Sequence, residues 1–146
     1  MALEIVAQAW SVDDGVPGAA VVAVGRGGLP LATRIAAVAE LPESRIAMWC
    51  PATPTILFDN RSAEYAAPSL TGRLVIVAAG LVCSGQSIAA AHDTVRQAGA
   101  RVTMLVAGAI HEPTWWQHNN VEPAALLAFI GAIGRSVWIS LPGSPC

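Results

Sequence analysis

The apolar run of residues 74–82 constrains this chain more than any other stretch, because it passes through Cys83-Ser84-Gly85 directly into helix-forming sequence at residues 87–97. A run without polar alternation is buried on both faces, which predicts an interior strand of a sheet covered by helices. The strand itself is expected over residues 74–78, and Gly99 is placed to close the helix. The same order occurs earlier: residues 19–24 read as a buried strand, 25–30 as its loop and 31–40 as its helix, with Pro30 suited to a first turn. These units predict an α/β fold with a mostly parallel sheet flanked by helices. Ligands are expected at the carboxyl edge of the strands.

The remainder fits one domain over residues 1–146, without repeat, linker or low-complexity tract. Residues 1–10 are amphipathic and predict a short helix, and 11–18 are rich in turn residues. Residues 46–49, 55–58, 102–110 and 137–141 read as further strands. Residues 123–133 read as a helix stopped by Gly134. Segment 59–71 is polar and reads as a mobile loop, and 111–121 as irregular chain.

Composition narrows the function classes. Hydrophobic residues make up 54% of the chain, yet the longest apolar runs are about half of a membrane span. Glu4 and the lack of a basic start argue against a secretory signal. A soluble cytoplasmic protein with no membrane partner is expected. The net charge is −2 and all 8 basic residues are arginine, with no basic cluster, so a nucleic-acid surface is disfavoured. Cys50, Cys83 and Cys146 are odd in number and widely spaced, which suits neither a disulfide framework nor a cysteine metal site.

Two loops carry the candidate chemistry. Gly25-Arg26-Gly27-Gly28 follows a strand and precedes a helix; its glycines allow close backbone approach, and a guanidinium there pairs with phosphate oxygens. Ser84-Gly85-Gln86-Ser87 supplies two hydroxyls, loop amides and the start of a helix, a combination that cradles a phosphate monoester. The competing readings are a plain βα turn with a solvent-facing Arg26, and a helix capped by serine. Neither loop spells a dinucleotide fingerprint, and no Walker lysine exists. His111, Glu112 and His118 lack a recognised ligand spacing, so no metal site is expected there. His92 reads as a surface residue of its helix, Cys83 as a small buried residue, and Trp115 and Trp116 as core or interface packing.

At this point the sequence resembles a known family. Val21 to Leu31, Val-Val-Ala-Val-Gly-Arg-Gly-Gly-Leu-Pro-Leu, is similar to the pyrophosphate-binding loop of the type I phosphoribosyltransferases. Gly72 to Ile88 is similar to their phosphoribosyl-pyrophosphate motif, with Ser84, Gly85 and Ser87 on its Thr-Gly-x-Thr part. Weaker echoes follow at Ile110-His111-Glu112-Pro113 and at Val137-Trp138-Ile139-Ser140-Leu141-Pro142. The resemblance covers residues 20 to 142 and implies a parallel-sheet fold with a small hood built from the terminal segments.

The resemblance also implies roles. Arg26, Gly27 and Gly28 would receive pyrophosphate, and Ser84, Gly85, Gln86 and Ser87 the 5′-phosphate. His111 and Trp138 would contact a base, of purine type. The ligand would be phosphoribosyl pyrophosphate or a nucleoside 5′-monophosphate, the cofactor Mg²⁺ in an active transferase, and the assembly a homo-oligomer, a dimer by first expectation. The departures fall together: Ala79, Gly80 and Cys83 occupy the motif's acidic positions, where carboxylates would hold the ribose hydroxyls and the metal. Two functions therefore stand side by side, transfer of phosphoribose to a base and nucleotide binding without transfer in a regulator or partner subunit.

Overall fold

A computed structural model describes residues 2–12, 15–50, 56–58, 70–120, 122 and 135–140. In chain order the elements are α1 (Ala2–Val12), β1 (Ala20–Val24), α2 (Leu29–Val38), β2 (Ile46–Trp49), β3 (Ile56–Phe58), β4 (Leu74–Val82), α3 (Gln86–Gln97), β5 (Val102–Ile110), α4 (Glu112–His118) and β6 (Arg135–Ser140). They build one six-stranded sheet in the order β3-β2-β1-β4-β5-β6. Strands β2, β1, β4, β5 and β6 pair in parallel, and β3 adds an antiparallel edge.

The central strands are buried on both faces, as their unbroken apolar sequence requires. Along β4, Leu74, Ile76 and Ala78 face one core together with Ile5, Leu31 and Ile35 of α1 and α2. Val75, Val77 and Ala79 face a second core with Ile88, Ala91 and Val95 of α3. Burying a side chain of the Val, Leu or Ile type contributes about 1.5–3 kcal/mol, so these two layers account for the sheet's place at the centre. Of the terminal segments expected to form a hood, the N-terminal one lies as α1 against α2; the last six residues lie outside the described ones.

Three local readings need correction. Strand β4 continues four residues past Ala78, because Ala79, Leu81 and Val82 stay in register with Ala107, Ala109 and Ile110 of β5. Residues 112–118 form a helix rather than irregular chain: Pro113 falls in its first turn, where the missing amide costs nothing. His92 is fully buried, not on the surface, since it shares the helical face of Ile88, Ala91 and Val95 that packs on the sheet. The mobile-loop segment 59–69 and the helix expected at residues 123–133 lie outside the described residues.

Candidate functional site

From β1 the chain crosses to β2 on one side and later returns to place β4 on the other side. The strand order thus reverses between β1 and β4, and in an open α/β sheet that switch point leaves a crevice beyond the carboxyl ends of the two strands. Both loops singled out in the sequence lie there. Residues 26–28 make a turn between β1 and α2, and residues 83–85 join β4 to α3.

A cleft of about 180 Å³ opens at this edge. Its polar side is formed by Cys83, Ser84, Gly85 and Ser87, and its apolar side by Val24, Ala79, Leu81, Val82 and Ile88. Gly85 precedes the first turn of α3 with φ 87° and ψ −2°, a left-handed conformation that L side chains adopt only at a cost. That turn delivers the first amides of α3 to the cleft, where helix geometry gives them no intrahelical acceptor. The Gln86 amide makes a long 3.4 Å bond to Ser84 Oγ. The oriented amides and the positive end of a twelve-residue helix favour an anion here.

The loop is held from behind by α4, which the sequence reading missed. The Trp115 indole is fully buried and packs on Gly85. Asn119 Nδ2 donates to the Ser84 carbonyl at 2.7 Å and to the Trp115 carbonyl at 3.1 Å. The His111 amide donates to the Val82 carbonyl at 2.8 Å, and His111 Nδ1 lies 2.6 Å from Thr114 Oγ1. His111 caps this strut and is not among the residues lining the cleft. Trp138 lies in β6 opposite Leu105, with β5 between it and β4; its side chain lies outside the described residues.

The Arg26 loop sits against the other face of β4. Gly28 is buried, with the Ala78 carbonyl in the space a Cβ there would need, and its amide donates to the Gly25 carbonyl at 3.2 Å. Arg26 and Gly27 are exposed. The Gly27 carbonyl lies directly over Gly80, in the space a Cβ on residue 80 would need. A Cβ on Gly108 would come within 2.8 Å of the Gly80 carbonyl, so the backbones are tightly stacked across β4 and β5 as well.

Other arginines serve the opposite edge. Arg45 and Arg73 donate to the Ala19 and Gly18 carbonyls at 3.2 and 2.8 Å, and Arg101 donates to the Gly72 carbonyl at 3.3 Å. Cys83 is exposed in the cleft, contrary to the buried position expected of it, because β4 ends at Val82 and the loop turns outward. Among the described residues no three His, Cys, Asp or Glu side chains gather as a metal site, and no helix is long and apolar enough to cross a membrane.

The sheet order, the flanking helices and the two edge loops define the type I phosphoribosyltransferase fold. Among solved structures the chain is similar to orotate phosphoribosyltransferase from Aeropyrum pernix, at 23% identity and a TM-score of 0.59 over 95% of this chain and 68% of that one. It is also similar to a purine phosphoribosyltransferase from Pyrococcus horikoshii Ot3, at 16% identity and 0.55 over 98% and 87% of the two chains. A hypoxanthine phosphoribosyltransferase from Staphylococcus aureus aligns at 10% identity and 0.58 over 98% and 72%. No family model and no curated protein matches the sequence.

Proposed function

We propose that this protein binds a phosphorylated ribose compound, phosphoribosyl pyrophosphate or a nucleoside 5′-monophosphate, at the carboxyl edge of β1 and β4. Residues Ser84 to Ser87 take the 5′-phosphate, and Arg26 with Gly27 answers a second phosphate across the sheet edge. His111 and Trp138 are the candidates for a purine base. The observation that carries this reading is the left-handed Gly85, which aims the start of α3 into a cleft at the switch point.

Binding without transfer is the reading the geometry favours. Phosphoribosyl transfer passes through a positively charged ribosyl-like state, which carboxylates and a metal-bound leaving group would stabilise. The described lining offers two hydroxyls, a thiol and alkyl groups, and Mg²⁺ prefers a shell of oxygen ligands with carboxylates among them. These residues do not fit that metal. The transfer reading draws support from the fold neighbours, which are transferases by name.

Thermal-shift titration with nucleoside monophosphates and phosphoribosyl pyrophosphate, each with and without Mg²⁺, tests both. Stabilisation that ignores Mg²⁺ is the expected result, and no shift with any of these ligands overturns the proposal. Mg²⁺-dependent release of pyrophosphate across a panel of bases would decide for transfer instead.

A further inference from the structure

Helical bonding in α3 begins with the Ala89 amide, which donates to the Gly85 carbonyl at 3.1 Å. One residue earlier stands the Ser84 carbonyl, four residues before the Ile88 amide. Among the described residues it accepts from Asn119 Nδ2 at 2.7 Å and from no amide of α3. The same Nδ2 reaches the Trp115 carbonyl at 3.1 Å, and the Asn119 amide donates to that carbonyl at 2.9 Å, so Asn119 is tied to α4 at both ends. Ser84, Gly85, Ser87 and Ile88 line the cleft, and neither Asn119 nor Trp115 does. A peptide unit is planar and trans, with its C=O and N–H pointing to opposite sides. Anchoring the Ser84 carbonyl to Asn119 therefore turns the Gly85 amide away from α4. That amide and those of Ser87 and Ile88 have no protein acceptor among the described residues.

We infer that Asn119 is the positioning residue of the anion site: by holding the Ser84 carbonyl it keeps Gly85 left-handed and leaves the amides at the start of α3 open to a phosphate. Glycine reaches the right-handed region as readily as the left-handed one. With Gly85 right-handed, α3 would begin one residue earlier, the Ser84 carbonyl would accept from the Ile88 amide, and a donor for the ligand would be consumed inside the helix. Asn119 touches no ligand and acts through the Ser84–Gly85 peptide. This rests on the phosphate-binding reading above and adds the residue that controls the donors of that site.

Two measurements on the whole chain test it: titration with inorganic phosphate and ribose 5-phosphate, and amide hydrogen exchange without ligand. Asn119→Leu keeps the branched shape and removes the donor, and Asn119→Ala removes it with less bulk. Thr94→Val is the control, because it removes two hydrogen bonds of α3 away from the loop, from Trp49 Nε1 at 3.1 Å and to the Ala90 carbonyl at 3.0 Å. Both Asn119 variants are expected to bind the probes about fivefold more weakly and to exchange the Ile88 amide about tenfold more slowly. Thr94→Val is expected to change neither by more than about twofold. Natural affinity in the Asn119 variants, a loss matched by Thr94→Val, or a loss with Ile88 exchange unchanged overturns the inference and leaves phosphate binding standing. Failure of both probes on the natural chain overturns the phosphate reading and the inference with it.

Discussion

Cζ3 of Trp115 lies 2.5 Å from where a Cβ on Gly85 would stand, so the loop that turns into α3 rests directly on an indole from α4. The glycine is required twice, once by its left-handed backbone and once by the ring. The loop between β4 and α3 is therefore packed on a buried side chain.

Replacing that glycine is expected to damage both stability and binding. Gly85→Ala incurs about 1–2 kcal/mol for the left-handed conformation and about 1–3 kcal/mol for overpacking against the ring. Urea unfolding should show a loss of about 2–5 kcal/mol. Adding Trp115→Leu to Gly85→Ala should recover part of it, since the two residues touch and their effects do not add.

Asn119 tests whether the loop needs its strut. Asn119→Ala removes two hydrogen bonds, to the Ser84 and Trp115 carbonyls, at about 1 kcal/mol each. The expected outcome is a folded protein destabilised by about 1–2 kcal/mol. Titration should show a several-fold loss of phosphate affinity in the same variant.

Placing an acid at residue 80 is expected to create no metal site. The Gly27 carbonyl occupies the side-chain position, and a backbone atom moves aside less easily than a side chain. Gly80→Asp should lose about 1–3 kcal/mol of stability and gain no Mg²⁺-dependent ligand binding. Thermal unfolding with and without the metal would show both.

Stability should fall in mild acid because of His92. Burial lowers its pKa below the ordinary 6.5, the nearby Arg96 lowers it further, and Asp93 opposes them in part. The folded state thus binds its proton less readily than the unfolded chain, so this stability is fully present above about pH 6.5 and is lost as the pH falls toward the folded value. Melting temperatures measured from pH 7.5 down to pH 5 should drop more for the natural chain than for His92→Leu.

Much of the sheet was legible because its signals are local. The unbroken apolar runs and the glycine loops marked β1, β2, β4 and β5 and placed both loops at strand ends, where the structure has them. The errors have physical causes too. His92 is polar by type, but it stands at the helical spacing of Ile88, Ala91 and Val95, a signal that periodicity carried and residue type obscured. Helix α4 was hidden by Pro113 and two tryptophans, though a proline in the first turn starts a helix as readily as it breaks one. Asn119 had no sequence signal, since its partner Ser84 lies 35 residues away.

The sequence by itself determined the fold class, the two loops at the sheet's carboxyl edge, and the small uncharged residues Ala79, Gly80 and Cys83 at the end of β4. Only the tertiary structure decided that residue 80 lies beneath the Gly27 carbonyl, that Trp115 and Asn119 brace the loop between β4 and α3, and that Leu81 and Cys83 open into the cleft. The division follows from range. Hydrophobic period and turn chemistry act between chain neighbours and can be read along the sequence, whereas contacts between distant strands and helices exist only once the sheet has assembled.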